Sequence, residues 1–195
     1  MKSLDEYLQD AEIAHGHLCA GQVLGVRLAM LGLRKLGIDD PQGKDRKRLV
    51  TFVEIDRCAT DAVAVVTGCR LGKRALKFRD WGKVAATFVD VDRGKAIRIA
   101  AKESSKQLAK QVHPEIADKN QQQMRAYREI SDADLFTTQW VKVDLPPEEF
   151  PGYKGDRVVC EICGEGINFR REVRRDRKVL CRGCAGESYY RFANE

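Results

Sequence analysis

His15-Gly16-His17-Leu18-Cys19 places two imidazoles and a thiol within five positions, and it holds two of the chain's three histidines. Cys19 stands at the start of a helical run, where unpaired backbone N–H groups and the helix dipole favour a thiolate. A second thiol, Cys58, follows a strand-like run in Asp56-Arg57-Cys58-Ala59-Thr60-Asp61. Strand-to-helix junctions often carry functional side chains, and Asp61 can orient a histidine or accept a proton. Imidazole with thiolate suits Zn, Ni, Cu or Fe rather than Mg or Ca. The same groups also suit thiol and acid–base chemistry. His17, Cys19 and Cys58 are therefore candidate ligands of a second transition metal in the core, or candidate catalytic thiols. His15 and Asp61 would support them. The competing reading is a polar turn beside inert, buried cysteines.

Neighbouring motifs are weaker. Gly68-Cys69-Arg70-Leu71-Gly72-Lys73-Arg74 has three residues between its glycines and no Ser or Thr after the lysine. It fails the phosphate-loop pattern and excludes a nucleotide hydrolase built on it. Lys73 remains a candidate cofactor-binding charge near Cys58. Cys69 falls at the end of an apolar helix, where the dipole disfavours a thiolate, and reads as structural. His113 precedes Pro114 in a polar stretch and reads as a surface residue.

The C-terminal cysteines carry the strongest signal. Cys160-Glu-Ile-Cys163 and Cys181-Arg-Gly-Cys184 are C-x-x-C pairs separated by seventeen residues. That spacing is typical of structural zinc. Four thiolates complete a tetrahedral site with no open position, and Gly164 and Gly183 would allow the tight turns. So short a segment has little core of its own, so metal binding would supply much of its folding energy. Between the pairs lie Arg170, Arg171, Arg174, Arg175, Arg177 and Lys178, with Phe169 before them and Tyr189 and Tyr190 beyond. A basic ribbon with aromatics can contact nucleic acid. It reads equally as a solvated hairpin or a protein-docking face, since Glu172 and Asp176 offset part of its charge.

Helices and strands must position these groups. Ser3 with Glu6 forms a capping box for a helix running to about Ala14. A second helix, Ala20 to Leu36, is apolar on nearly every face and ends at Gly37, which implies burial in a core or a subunit interface. Leu49 to Ile55, Lys83 to Val91, Lys95 to Ala101 and Trp140 to Leu145 read as strands. The middle two are joined by an Asp92-Arg93-Gly94 turn. Thr60 to Cys69, Glu103 to Val112 and Lys119 to Ile130 read as helices, and Ser131 caps a short last one. Helices and strands do not alternate strictly, so the core is expected to be α+β. Three of five prolines fall in Asp144 to Gly155. That break divides the chain into a core over 1–145, a linker over 146–156 and a small four-Cys zinc-finger module, ribbon or treble clef, over 157–195.

Composition narrows the class. Of 195 residues, 43% are hydrophobic and 33% charged. Such a chain supports a packed core, and global disorder is excluded. The apolar run from Leu18 to Leu33 contains Arg27 and is too short to span a membrane. Lys2, Asp5 and Glu6 leave no room for a secretory signal. Seven cysteines are an odd count for a disulfide scaffold, so a reducing cytoplasm is expected. A net charge of +6 permits nucleic-acid contact without demanding it.

Taken together, these motifs resemble the FmdE family of formylmethanofuran dehydrogenase proteins. The resemblance lies in His15-Gly-His17-Leu-Cys19-Ala-Gly21 with Leu24-Gly25-x-Arg27. It continues through Cys58-Ala-Thr-Asp61-Ala62, Thr67-Gly68-Cys69 and Leu71-Gly72-Lys73, and closes on Asp80-x-Gly82-Lys83-x-Ala85. Ala20 departs from the proline usual in that family, a residue that pre-sets a first helical turn. The resemblance implies an α+β core that forms an intertwined homodimer. It also implies a cleft where the His-x-His-x-Cys turn meets Cys58, and an association with molybdenum or tungsten formylmethanofuran dehydrogenase and one-carbon redox metabolism. The sequence leaves open whether the protein is an enzyme. The alternative is a non-enzymatic, metal-responsive regulator or accessory protein whose zinc module docks on nucleic acid or a protein partner.

Overall fold

The first two helices are fixed by their ends. In a computed structural model, which describes residues 1–191 and residue 193, Ser3 and Glu6 close the capping box of α1 (Leu4–His15), and Gly16 ends it at φ 93°. The next helix, α2 (Ala20–Leu36), begins at Cys19 and stops at Gly37 with φ 66°. Only glycine adopts such left-handed conformations at no steric cost.

The chain divides into two units, Met1–Asp144 and Leu145–Glu195. The first contains a five-stranded sheet of β1 (Leu49–Val53), β2 (Leu76–Phe78), β3 (Ala85–Asp90), β4 (Lys95–Ala101) and β5 (Phe136–Val141). Its order is β2-β1-β3-β4-β5. The β1–β2 pair is parallel, joined through α3 (Cys58–Thr67), and every other pair is antiparallel. Three helices lie between β4 and β5 in sequence: α4 (Ser105–Val112), α5 (Lys119–Glu129) and α6 (Asp132–Leu135). This is the mixed α+β core expected from the sequence.

Strand residues alternate between two faces. Leu49, Val53, Ala86, Phe88, Ile97 and Ile99 join the residues of α1, α2 and α3 in one buried cluster. The other face carries the register row Lys77–Phe52–Thr87–Arg98–Gln139. The fully buried flank of α2 is covered within one chain by α1, α3, α5, β3 and β4. Its apolar sequence is thus explained without a second subunit, and the interface reading of this helix loses its ground.

Close approach is the organising feature of α2. A Cβ added at Gly25 would lie 2.5 Å from the Ala59 carbonyl oxygen and 2.8 Å from the Ala62 Cβ. One added at Gly32 would lie 2.3 Å from the Phe88 ring. Arg27, the lone charge in the apolar run, sends its guanidinium to α5: it donates to the carbonyls of Tyr127 and Ile130 and to Asp132. It therefore serves as a remote C-terminal cap for α5.

Several elements differ from the sequence reading. The helix expected over Thr60 to Cys69 runs from Cys58 to Thr67, so Cys69 lies beyond its cap, Gly68. Strand β5 begins at Phe136 rather than Trp140, pairing with β4 along its length. Strand β2 has no counterpart among the expected elements, because three residues carry no readable period. His113 is buried rather than at the surface, at 7% exposure, because its ring nitrogens meet Glu115 at 3.0 Å and Glu129 at 2.9 Å.

The second unit has two short hairpins, β6 (Val158–Val159) with β7 (Gly166–Ile167) and β8 (Val173–Arg175) with β9 (Lys178–Leu180), then a helical turn over Gly183–Glu187. Among the described residues, no helix is long and apolar enough to cross a membrane.

Gly25→Ala should cost about 1–3 kcal/mol, because backbone rather than a flexible side chain blocks the new methyl group. Urea unfolding monitored by circular dichroism measures it, and an unchanged midpoint would refute the tight α2–α3 contact.

Candidate functional site

His15 is the last residue of α1 and Asp61 lies in the first turn of α3, so the α1–α3 contact brings them together. His15 Nδ1 and Asp61 Oδ2 are 2.8 Å apart. This contact fixes the ring's orientation and leaves Nε2 as its second polar atom. The exposed His17 ring lies beside it, with centroids 4.8 Å apart.

Cys19 and Cys58 meet across the N-termini of α2 and α3. The two side chains adjoin closely enough for the Cys19 thiol to act on the ionisation of Cys58. Gly21 lies between them: a Cβ there would make ordinary contacts, 3.4 Å from the Cys58 Cβ and 3.8 Å from the Cys19 Sγ. Burial, and then the adjacent Cys19 thiol, push the Cys58 pKa above the ordinary thiol value. Position at a helix start does not overcome those two effects. Cys58 therefore rests as a thiol that needs a base before it can act as a nucleophile.

The turn bearing His17 and Cys19 is anchored from three sides. Gln22, fully buried, accepts from the Cys19 N–H at 3.1 Å and donates to the Ala11 carbonyl at 2.9 Å. Asn120 of α5 accepts from the Ala20 N–H at 3.1 Å. These two amides hold the start of α2 at Cys19 and Ala20. Sequence reasoning misses Asn120, which lies one hundred positions from its partner and carries no local signal.

A cleft of about 440 Å³ opens on this cluster. His15, Cys58, Asp61, Asp56, Arg57 and Thr60 line its polar side, and Val53, Leu71, Leu76 and Phe78 its apolar side. Its size falls within the range of small-molecule pockets. Lys73 does not line it; the exposed lysine closes the turn that begins with Leu71. Cys69 is buried away from the cleft, near Thr51 Oγ1 at 3.5 Å, and burial raises its pKa, in keeping with a structural thiol.

In the second unit, the sulfurs of Cys160, Cys163, Cys181 and Cys184 all lie within 4.8 Å of one another, and Cys163 and Cys181 are 3.9 Å apart. Zn–S bonds of about 2.3 Å put tetrahedral sulfurs roughly 3.8 Å apart, so the cluster fits zinc. Backbone N–H groups of Cys163 and Cys181 lower the Cys160 pKa to about 6. The Cys184 thiol is pushed up to about 12, chiefly by Cys181 beside it. A divalent cation removes that mutual repulsion and favours four thiolates. Gly164 takes the left-handed conformation at φ 75°, whereas Gly183 does not. Among the described residues, this is the one group of three or more side chains arranged to hold a metal. His17, Cys19 and Cys58 form no such group, because the exposed His17 side chain does not join the two thiols as a third ligand.

The basic hairpin turns through Asp176 and Arg177, at φ 50° and 64°. Arg174 pairs with Glu172 at 3.3 Å, and Arg175 reaches the Ala185 carbonyl at 3.4 Å. Both guanidinium groups remain exposed.

The two units match different families. Residues 153–190 match the prokaryotic dksA/traR C4-type zinc finger. A protein from Archaeoglobus fulgidus, named a probable S-adenosyl-L-methionine-binding protein, is 31% identical over 96% of this chain. The chain spans about half of that relative, 54% of its length. The crystal structure of a tungsten formylmethanofuran dehydrogenase FmdE-like protein from Syntrophus aciditrophicus superposes with a TM-score of 0.64. That likeness covers 97% of this chain and 95% of the other at 22% identity, and it concerns the fold. Residues 14–137 match the family described as FmdE, molybdenum formylmethanofuran dehydrogenase operon, and the chain belongs to that family.

Proposed function

We propose that the FmdE-like core is a thiol-dependent small-molecule site and that the C-terminal unit is a structural zinc module used for docking. One observation carries the first part: Cys58 and the His15–Asp61 pair line one cleft, while Cys19 adjoins Cys58 without lining it. In this reading Cys58 contacts the ligand through its thiol, His15 can take up the thiol proton to leave a thiolate, and Asp61 orients His15. Cys19 supports Cys58, and His17 stands at the outer edge as a further acid–base group. The FmdE family match supports placing this ligand in one-carbon redox metabolism of the molybdenum or tungsten formylmethanofuran dehydrogenase type.

A second ligand reading rests on the Archaeoglobus relative. Asp56 and Asp61 offer carboxylates to a sulfonium cation, and Phe78 offers an aromatic face. Titration with S-adenosyl-L-methionine by calorimetry tests it; binding unaffected by Asp61→Asn would move that ligand elsewhere.

A regulatory reading is favoured by the exposed arginines of the hairpin and by the dksA/traR-type finger. The module then presents Arg174 and Arg175 to an acidic surface of a protein or nucleic acid, while the core site reports ligand occupancy. Charge reversal, Arg174→Glu with Arg175→Glu, should weaken binding to any such partner at least tenfold. Binding of nucleic acid should also fall steeply with salt. An unchanged affinity in the charge-reversed protein would remove the hairpin from the interface.

The pH dependence of alkylation tests the thiol pair. Iodoacetamide should modify Cys58 with a midpoint above the ordinary thiol value of about 8.5. Cys19→Ala should lower that midpoint, since it removes the neighbouring thiol, but not fully, since burial persists. A midpoint unmoved by Cys19→Ala would show that the thiols act separately.

Elemental analysis tests the metal assignment. The full chain should carry one zinc, lost in Cys181→Ser with Cys184→Ser. A second metal that survives those substitutions would return His17, Cys19 and Cys58 to the role of metal ligands.

A further inference from the structure

The Asp80-x-Gly82-Lys83 motif takes no part in the thiol cleft. It lies on the loop between β2 and β3, beside a second cavity on the opposite face of the sheet. That cavity measures about 310 Å³ and is lined by Phe52, Glu54, Arg79, Trp81, Thr87 and Arg98, with Val141 and Val143 along one wall.

The register explains the floor. Phe52, Thr87 and Arg98 are direct cross-strand neighbours on β1, β3 and β4, so their side chains rise together. Glu54 follows in the next same-face position after β1 and is only 2% exposed. Arg98 meets it with two parallel bonds, Nε to Oε1 and Nη2 to Oε2, each 2.7 Å. A guanidinium has five N–H donors. Glu54 takes two and Gln139 takes a third at 3.4 Å, so two are left for an acceptor.

The wall is held by backbone. The Arg79 N–H donates to the Val53 carbonyl at 2.9 Å, and the Trp81 and Lys83 N–H groups both donate to the Glu54 carbonyl at 3.1 Å. Gly82 makes the turn at φ 64°. The loop therefore presents Trp81, 61% exposed, as a fixed aromatic plate. Cations surround the two aromatic rings: Arg79 stands 5.4 Å from the Phe52 centroid and Lys83 5.8 Å from that of Trp81.

We infer that this cavity binds a planar heteroaromatic ligand bearing an anionic group, of the nucleoside monophosphate class. Trp81 and Phe52 take the ring by stacking. Arg79 and the free donors of Arg98 take the phosphate by charge-assisted hydrogen bonds, and Lys83, which does not line the cavity, adds positive charge beside Trp81. The buried Glu54 fixes Arg98 and keeps its fork oriented. Val141 and Val143 close the apolar side. The site shares no lining residue with the thiol cleft. It is independent of the function proposed for that cleft.

Tryptophan fluorescence of the full-length protein reads it directly. Trp140 is replaced by Phe, leaving Trp81 as the reporter, and adenosine and guanosine monophosphates are the probes. Saturable quenching is expected, at least tenfold weaker for adenosine, which lacks the phosphate. Arg79→Ala should weaken binding at least tenfold, while Cys58→Ala should leave it unchanged. For Trp81→Ala, calorimetry replaces fluorescence and a similar loss is expected, with circular dichroism verifying the fold of each variant. Absence of saturable binding up to millimolar nucleotide would overturn the proposal. Binding insensitive to Trp81 and Arg79, or abolished by Cys58→Ala, would overturn it equally.

Discussion

The steric contact between α2 and α3 governs the geometry of the core. Gly21 and Gly25 lie one turn apart on α2, against Cys58, Ala59 and Ala62 of α3. With so little side-chain bulk between them, the backbones approach until both helix starts share one neighbourhood. That approach brings the Cys19 thiol to the Cys58 thiol. It also leaves α1, packed on α3, with His15 facing Asp61. The chemistry at the cleft is therefore a by-product of small residues on a helix face, more than of any single reactive group. Phe88 against Gly32 extends the same logic to the sheet.

Polar residues then hold what close packing has assembled. Gln22 is a fully buried amide with both ends bonded, one to the Cys19 turn and one to α1. A buried amide left half-bonded would be costly, so its two partners are constrained together. Arg27 plays a similar part at the far side of α2, where it occupies carbonyl groups at the end of α5. In the zinc module the balance differs. The four sulfurs are brought together with little hydrophobic support, and Cys160, Ile167 and Leu180 are its buried apolar members. A metal held by the four sulfurs would supply the cohesion that burial cannot.

How much a sequence discloses follows the range of the interactions involved. His15, Cys19, Cys58 and Asp61 stand out in the sequence as candidates because their types are chemical and their settings, at helix ends, are local; that His15 meets Asp61 is not legible, since it depends on the packing of α1 on α3. The four-Cys cluster is legible from spacing alone. Cys69 is buried as a structural thiol, but for a reason other than the helix end the sequence suggests: it lies beyond the Gly68 cap, and burial keeps its thiol protonated. His113 is not legible as buried, because its partner Glu129 is sixteen residues away, and a polar stretch around a histidine does not show that both ring nitrogens are engaged. Lys73 attracts notice for its charge, but the turn that carries it directs Leu71, not the lysine, to the cleft. The second cavity is invisible in the sequence because it is built from a strand row. Its residues are scattered from Phe52 to Val143 and meet only through sheet register.

The ties made by Asn120 and by Arg27 have a bearing on how the chain reaches this state. Both connect the start or middle of α2 to segments one hundred or more positions later. Closing so long a loop is entropically expensive and slow, and it raises the contact order of the core. During synthesis, the His-x-His-x-Cys turn leaves the ribosome long before its anchor on α5 exists. Until then the turn carrying its two imidazoles and its thiol lacks the tie to α5 and has only the local anchor of Gln22. Maturation of the site is thus a late event, timed by the arrival of a plain asparagine rather than by the reactive residues themselves.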